Sequence, residues 1–157
     1  MDAKQLLELV IRPTLKKLGL HSEAAEQLVI GTIWQESRGE YIKQLGGGPA
    51  LGLAQMEPAT HDDIWCNYLA YKRTLANGIT ELASMQSLDD DMLPDANELM
   101  GNLNYAVAMC RVHYLRVKAP LPKAGDVEGM AAYWKQYYNT PLGAGKPQEF
   151  VENFPTI

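Results

Sequence analysis

The chain has 157 residues, of which 46% are hydrophobic and 21% charged, and its formal net charge is −5. This length and apolar content predict one globular domain spanning residues 1–157. The acidic balance and the lack of a basic cluster disfavour nucleic-acid binding, and no apolar run reaches the ~18 residues of a membrane span, so membrane insertion is not expected.

The N-terminus and the cysteines bear on the compartment. Met1 to Gln5 lead into an amphipathic segment and not into the continuous apolar stretch of a signal peptide, so we expect synthesis in a cytoplasm without a signal peptide. Cys66 and Cys110 lie in apolar helical patterns, which predicts buried, reduced thiols. The three histidines lack zinc-ligand spacing and residues 89–91 are predicted to form a solvated acidic loop, so no metal or other cofactor is expected.

The first half of the chain is predicted to contain two helices and a loop. Asp2 caps a helix that continues to about Leu18 and that Pro13 bends or splits, because proline removes a backbone donor. Ser22 caps a second helix that continues to Ser37. The glycine-rich loop over residues 40–50 follows, with room for a short β ribbon near residues 41–45.

The second half is also predicted to be helical. Pro58 opens a helix to about Tyr71, with Thr60 as its cap and Asp63 approximating a capping box. Further helices are predicted over residues 79–85 and 95–117, from Asp126 onward, and over residues 147–154. The fold class is therefore predicted to be all-α, or α with a minor β ribbon, around a long central helix over residues 95–117.

Glu36 lies at the end of an apolar helix face. Val29, Thr32, Ile33 and Glu36 share this face, because residues three, four and seven apart lie on one side of a helix. Burial disfavours the charged form of a carboxyl group, so Glu36 is a candidate proton donor of the kind that glycosidic-bond cleavage requires. The alternative is an ordinary solvated carboxylate near a helix C-terminus.

Four aromatic residues lie within six positions near the C-terminus. Tyr133, Trp134, Tyr137 and Tyr138 are more than one core-facing stripe needs. Some of them are expected to line a groove in which sugar rings could stack. A crowded aromatic core or a protein interface would give the same pattern, and both interpretations stay open here.

Four short segments resemble motifs of lytic transglycosylases in the lysozyme-like superfamily. They are Glu36-Ser37, Gly52-Leu53-Ala54-Gln55-Met56 with Pro58 and Thr60, Asn104-Tyr105-Ala106, and Tyr137-Tyr138-Asn139. Their order and spacing resemble the family from the second helix to the end of the chain. The segment over residues 133–140, with Gly143 and Gly145, also resembles small muralytic domains of bacteriophage origin.

The resemblance implies a lysozyme-like α domain that acts on a peptidoglycan glycan strand, with phage virion proteins as further partners. It implies that Glu36 is the catalytic acid and then the base, and that Ser37, Gln55, Tyr138 and Asn139 are substrate-binding residues. Gln55 would lie near the cleaved bond, whereas Ser37 would support the active-site fold or the acetamido groups. Gly52 would lie where backbone and substrate approach closely. The oligomeric state is not implied.

The expected reaction is cleavage of the β-1,4 bond between N-acetylmuramic acid and N-acetylglucosamine, with a 1,6-anhydromuramoyl product. A hydrolytic lysozyme is the alternative, with a second carboxylate from Glu57, Asp62 or Asp63. Cleavage of chitin or chitosan is a further alternative, and a non-catalytic virion structural or wall-binding module is one of another class. The expected place of action is the cell wall, either from the virion or after release at lysis.

Overall fold

The computed structural model describes residues 1–139 and 142–157. The fold is all-α, as the sequence predicts. The α-helices are α1 (Ala3–Leu6), α2 (Arg12–Lys17), α3 (Glu23–Ser37), α4 (Pro58–Asn67), α5 (Arg73–Leu82), α6 (Glu98–Gly101), α7 (Leu103–Leu115), α8 (Val127–Trp134) and α9 (Pro147–Asn153). Within the described residues, no helix combines the length and the apolar character needed to cross a membrane.

The N-terminal helix is distorted as expected. Asp2 accepts a hydrogen bond from the backbone N–H of Gln5, and α1 is joined to α2 by a π-helical turn over Leu7–Ile11. Pro13 lies in the first turn of α2, where its missing N–H leaves the preceding turn free to widen. Gly19, with φ of +70°, follows the end of α2. The segment with Pro13 is therefore interrupted by a π-helical turn, and the helix continues to Lys17.

The helix that carries Glu36 begins and ends where the sequence predicts. The Ser22 hydroxyl accepts a hydrogen bond from the Ala25 N–H at 3.0 Å and caps α3. The helix ends at Ser37, and Arg38 adopts the left-handed conformation with φ of +56°. Near its middle, the Tyr114 hydroxyl of α7 and the Thr32 hydroxyl lie 2.7 Å apart. These contacts fix the last turn of α3 relative to the centre of the domain.

Helix α4 and the segment after it depart from the prediction. Glu57 is the N-cap without a side-chain hydrogen bond, so the predicted capping box of Thr60 and Asp63 is wrong. Asp63 instead accepts hydrogen bonds from Asn67 and Arg116. The helix ends at Asn67 and a 3-10 turn over Leu69–Tyr71 follows. Further along, α5 ends before a 3-10 turn over Met85–Ser87, so the helix predicted over residues 79–85 is displaced toward the N-terminus.

The predicted long helix is divided at Asn102. This residue has φ of −120° and ψ of 99°, and its side chain accepts a hydrogen bond from the Tyr105 N–H, so it ends α6 and caps α7. Apolar periodicity runs through both segments, which is why the sequence indicated one helix over residues 95–117. The shorter α7 is nevertheless central, because its side chains contribute to both hydrophobic clusters of the domain.

The two clusters meet along residues 51–56. Leu53 and Ala54 belong to the cluster with α3, α8 and α9, whereas Leu51 and Met56 belong to the cluster with α4 and α5. The predicted ribbon near residues 41–45 is reduced to isolated antiparallel bridges, from Leu51 to Lys43 and to Met56. The segment over residues 51–56 is therefore a seam between two halves of the domain, directly beside the end of α3.

The cysteine prediction is confirmed in part. Both thiols are free, and Cys110 is buried on α7. Cys66 is exposed, so its predicted burial is wrong. Helix α4 buries His61, Ile64 and Trp65, which leaves Cys66 on its solvent side.

Candidate active site

Glu36 is half-buried in the last turn of α3. Its Oε1 accepts a hydrogen bond from the indole N–H of Trp134 at 3.0 Å. Burial raises the pKa of the Glu36 carboxyl to about 7, and the Trp134 hydrogen bond opposes this rise because it favours the carboxylate. Glu36 can therefore hold a proton near neutral pH and release it, as a general acid must.

A second carboxylate on the same helix shows why Glu36 is unusual. Glu26 is also buried, at 5% exposure, but Arg12 and His21 both contact it at 2.8 Å. The Arg12 hydrogen bond lowers the pKa of Glu26 despite its burial. Among the described residues, Glu36 has no such ion pair. Glu26 is therefore a carboxylate in a structural ion pair, whereas burial raises the pKa of Glu36 to about 7.

Ser37 is buried, and its hydroxyl makes hydrogen bonds within the protein. Its hydroxyl donates to the Leu53 carbonyl at 2.6 Å and accepts a hydrogen bond from the Gly39 N–H at 3.2 Å. With 3% exposure, Ser37 ties the end of α3 to the seam. Ser37 also lines a cavity that it shares with Glu36. These hydrogen bonds suit the expected support of the active-site fold, and substrate binding by Ser37 stays a prediction.

Gln55 lies beside Glu36 on a strained piece of backbone. It has φ of +50°, and its side-chain amide donates to the Gly52 carbonyl at 2.9 Å. Gly52 itself has φ of +78°, and a Cβ there would lie 2.5 Å from the Leu99 carbonyl oxygen. Gly52 therefore approaches the protein's own backbone closely, and its predicted approach to substrate stays a prediction.

Tyr138 joins the C-terminal part of the domain to the seam. It lies in a π-helical segment over Lys135–Asn139 that continues α8, and its hydroxyl donates to the Ala54 carbonyl at 2.7 Å. Burial holds the pKa of this hydroxyl well above its usual value. The ring packs edge-on against His113, with centroids 4.6 Å apart. Tyr138 therefore supplies a neutral wall to the site.

Asn139 is connected to Gly143 through Lys135. Thr140, the last residue of the muralytic resemblance, lies outside the described residues, as does Pro141. On either side of them, the Lys135 ammonium donates to the Asn139 side-chain oxygen at 2.8 Å and to the Gly143 carbonyl at 2.7 Å. Lys135 thereby holds Gly143 against the end of the π-helical segment.

Two adjoining cavities meet at Glu36. One has a volume of about 660 Å³ and the other about 410 Å³, and Glu36, Gln44 and Gln55 line both. Tyr138, Asn139 and His113 line the larger of the two, whereas Arg38 and Tyr41 line the smaller. A carboxyl group at the junction of two cavities has room for a chain on both sides, which suits cleavage within a polymer.

The three candidates for a second carboxylate differ in whether they line a cavity with Glu36. Glu57 is exposed and lines the larger cavity together with Glu36. Asp62 accepts a hydrogen bond from His61, and Asp63 pairs with Arg116, and neither lines the two cavities. Only Glu57 of these three candidates therefore shares the site.

His113 lines the larger cavity and is held there by two hydrogen bonds within the protein. Its Nδ1 accepts from Arg116, which can only donate, so its Nε2 carries the proton that is donated to the Tyr137 carbonyl. Burial lowers the pKa of His113 to about 4, with a further contribution from the charge of Arg116. His113 is therefore neutral where Glu36 titrates.

The aromatic cluster divides between core and groove. Tyr133 and Trp134 are buried, whereas Tyr137 and Tyr138 are half-buried and Tyr138 lines the larger cavity. The residue pattern left groove and core open and did not indicate the Trp134 contact with Glu36. It also missed Lys135 and Gln44, for which the only signal was closeness in sequence to the motifs.

A separate cavity of about 960 Å³ lies beside another face of α4, lined by Trp65, Cys66 and parts of the loop over residues 84–98. Its carboxylates Asp89 and Asp95 accept hydrogen bonds from backbone N–H groups of the same loop, so they stabilise turns. Across residues 1–139 and 142–157, no group of three or more potential ligands could hold a metal ion.

Comparisons with protein families, with curated proteins and with solved structures give no match.

Proposed function

We propose that this protein cleaves the glycan strand of peptidoglycan at the β-1,4 bond between N-acetylmuramic acid and N-acetylglucosamine, without water, to give a 1,6-anhydromuramoyl end. The observation that carries the proposal is the half-buried Glu36 at the junction of two cavities, with a pKa of about 7 and a hydrogen bond from the Trp134 N–H. The resemblance of the surrounding motifs to lytic transglycosylases supports the choice of substrate.

In the first step, protonated Glu36 donates its proton to the oxygen of the glycosidic bond. The bond between C1 and this oxygen breaks, positive charge develops at C1, and the N-acetylglucosamine portion leaves as an alcohol. Glu36 becomes a carboxylate, which the Trp134 N–H stabilises. The negative charge then lies close to the cationic sugar and lowers the energy of the developing oxocarbenium ion.

In the second step, the 6-hydroxyl of the muramoyl residue attacks C1, and the Glu36 carboxylate takes its proton. The product is the anhydro ring, and Glu36 is protonated again for the next turnover. One carboxyl group is sufficient because the substrate supplies the nucleophile. Asp62 and Asp63 line neither of the two cavities at Glu36, which is consistent with a single acting carboxyl group.

Hydrolysis is the second candidate function, and one observation favours it. Glu57 lines the same cavity as Glu36 and is exposed, so it could activate a water molecule. The mass of the released muropeptides separates the two reactions, because an anhydro end is lighter than a hydrolysed end by one water. Glu57→Gln should leave anhydro products unchanged, whereas a hydrolase would lose activity.

The decisive experiment compares wild type with Glu36→Gln on purified peptidoglycan. We expect wild type to release anhydromuropeptides and Glu36→Gln to be slower by about 10²- to 10⁴-fold, the usual contribution of general acid–base catalysis. Equal and negligible release by both proteins would instead favour a non-catalytic virion structural or wall-binding module. Activity on polymers without muramic acid would redirect the proposal to chitin or chitosan.

The proposed site of action is the cell wall, reached from within a phage particle or after lysis. Phage virion proteins are the partners proposed with it, on the strength of the resemblance alone. Detection of the chain in purified particles by mass spectrometry would distinguish a virion-borne protein from one that is released at lysis.

A further inference from the structure

The indole of Trp134 is held in one orientation. Trp134 is 1% exposed at the end of α8, and its ring lies 5.7 Å from that of Phe150, centroid to centroid. The chain also passes close to the ring at Gly145, where a Cβ would come within 2.4 Å of the indole. The close packing of these groups leaves the ring little freedom to rotate.

In this position the indole N–H contacts one carboxyl oxygen of Glu36, Oε1, and not the other. Its N–H, which can only donate, lies 3.0 Å from Oε1. Within residues 1–139 and 142–157, Oε2 of Glu36 has no hydrogen-bond partner, although the side chain lines both cavities. One oxygen is therefore bound to the protein and the other is left for the groove.

We propose that Trp134 is a positioning residue for the reaction: its N–H holds Oε1 on the protein side, so that Oε2 carries the proton into the groove. This inference rests on the proposed function of Glu36. The proton leaves from Oε2 to the glycosidic oxygen and returns to Oε2 from the 6-hydroxyl, with no rotation of the carboxyl group between the two steps. The same hydrogen bond stabilises the carboxylate that exists between them.

Loss of the indole N–H has two separable consequences. The carboxylate loses its donor, so the pKa of Glu36 rises further, by about 1 to 2 pH units if a hydrogen bond to a charged group is lost. The carboxyl group also becomes free to rotate, so kcat falls while the groove, and with it KM, is little changed. A merely structural role for Trp134 would lower stability without moving the pKa.

Titratable groups near Glu36 do not interfere with the measurement of its pKa. His113 has a pKa of about 4, and the pKa of Tyr138 lies well above its usual value, so neither changes charge as Glu36 titrates. Burial raises the pKa of the Cys110 thiol to about 12. The other charged groups that line the two cavities are Glu57, Arg38 and Glu40. Glu57→Gln serves as the background that removes the remaining carboxylate of the larger cavity.

The test replaces Trp134 with β-(3-benzothienyl)alanine, which keeps the shape of the indole and has sulfur in place of the N–H. The pKa of Glu36 is followed by ¹³C NMR of labelled glutamate, with its signal assigned by its absence in Glu36→Gln. We expect an upward shift of about 1 to 2 pH units and a fall in kcat of about tenfold or more, with KM within about twofold of wild type. Trp134→Phe should change in the same direction.

Trp65 is the matched control, because its N–H donates to the buried Tyr105 hydroxyl at 2.8 Å, outside the two cavities at Glu36. The same replacement at Trp65 should lower stability and leave the Glu36 pKa unchanged. An unchanged Glu36 pKa in the Trp134 analogue, or an equal shift in the Trp65 analogue, overturns the inference. An inactive wild type overturns the proposed function instead, and the NMR titration distinguishes the two failures.

Discussion

Replacing Glu36 with glutamine should make the protein more stable at alkaline pH than the wild type. The pKa of Glu36 is raised by burial from its ordinary value of 4.5 to about 7. Between these values the native state binds more protons than the unfolded state, so wild-type stability falls as the pH rises through this window. Glutamine is uncharged at every pH and keeps an oxygen that can accept the Trp134 hydrogen bond.

The size of the effect follows from the distance between the two pKa values. A rise from 4.5 to about 7 corresponds to about 3 kcal/mol, because each pH unit is worth ~1.4 kcal/mol. Near pH 4 the two proteins should be about equally stable, since Glu36 is then protonated in both states. By about pH 8 the wild type carries the full penalty of a buried carboxylate. The free energy of unfolding of Glu36→Gln should then exceed that of the wild type by about 3 kcal/mol.

Urea unfolding of both proteins at a series of pH values measures this difference. Glu26→Gln is the control of opposite sign. The Arg12 hydrogen bond lowers the pKa of Glu26, so its contribution is present above the ordinary pKa and is lost in acid. A stability difference between Glu36→Gln and wild type that is the same at every pH would refute the reasoning, because Glu36 would then not be held protonated by burial.

Three further outcomes are expected. Activity of the wild type should fall about tenfold between about pH 6 and about pH 8, because Glu36 loses its proton around its pKa of about 7. Ser37→Ala should cost about 1 to 2 kcal/mol in urea unfolding, because the Leu53 carbonyl loses a buried donor. Gly52→Ala should cost about 2 to 4 kcal/mol, because the new Cβ would lie 2.5 Å from the Leu99 carbonyl oxygen at a φ of +78°.

One control variant and two contradicting results test these three predictions. Gly101→Ala is matched to Gly52→Ala, because a Cβ at Gly101 meets nothing within 4 Å, and it should not destabilise the protein. Full stability of Ser37→Ala would contradict the tie between α3 and the seam. A pH profile that stays flat up to about pH 9 would contradict Glu36 as the acid of the rate-limiting step.

The sequence predicted those features whose cause lies within a few residues. The Ser22 cap and the end of α3 at Ser37 depend on local hydrogen bonds and helix geometry, and both were placed correctly. The predicted cap at Thr60 was wrong because Pro58 already starts α4, so Thr60, although a good capping residue, lies just inside the helix. Asn102 was overlooked because apolar periodicity continues across it, although its own side chain caps α7.

What the sequence determined by itself is the helical class, the helix that carries Glu36 and the position of that carboxyl group at the end of an apolar face. Helix periodicity and capping are local, so they can be predicted from one segment at a time. The tertiary structure decided which groups surround Glu36. Trp134 reaches it across 98 positions of the chain, and Tyr138 reaches the Ala54 carbonyl across 84. Such contacts depend on how α3, α8 and the seam pack together, and no local pattern encodes that packing.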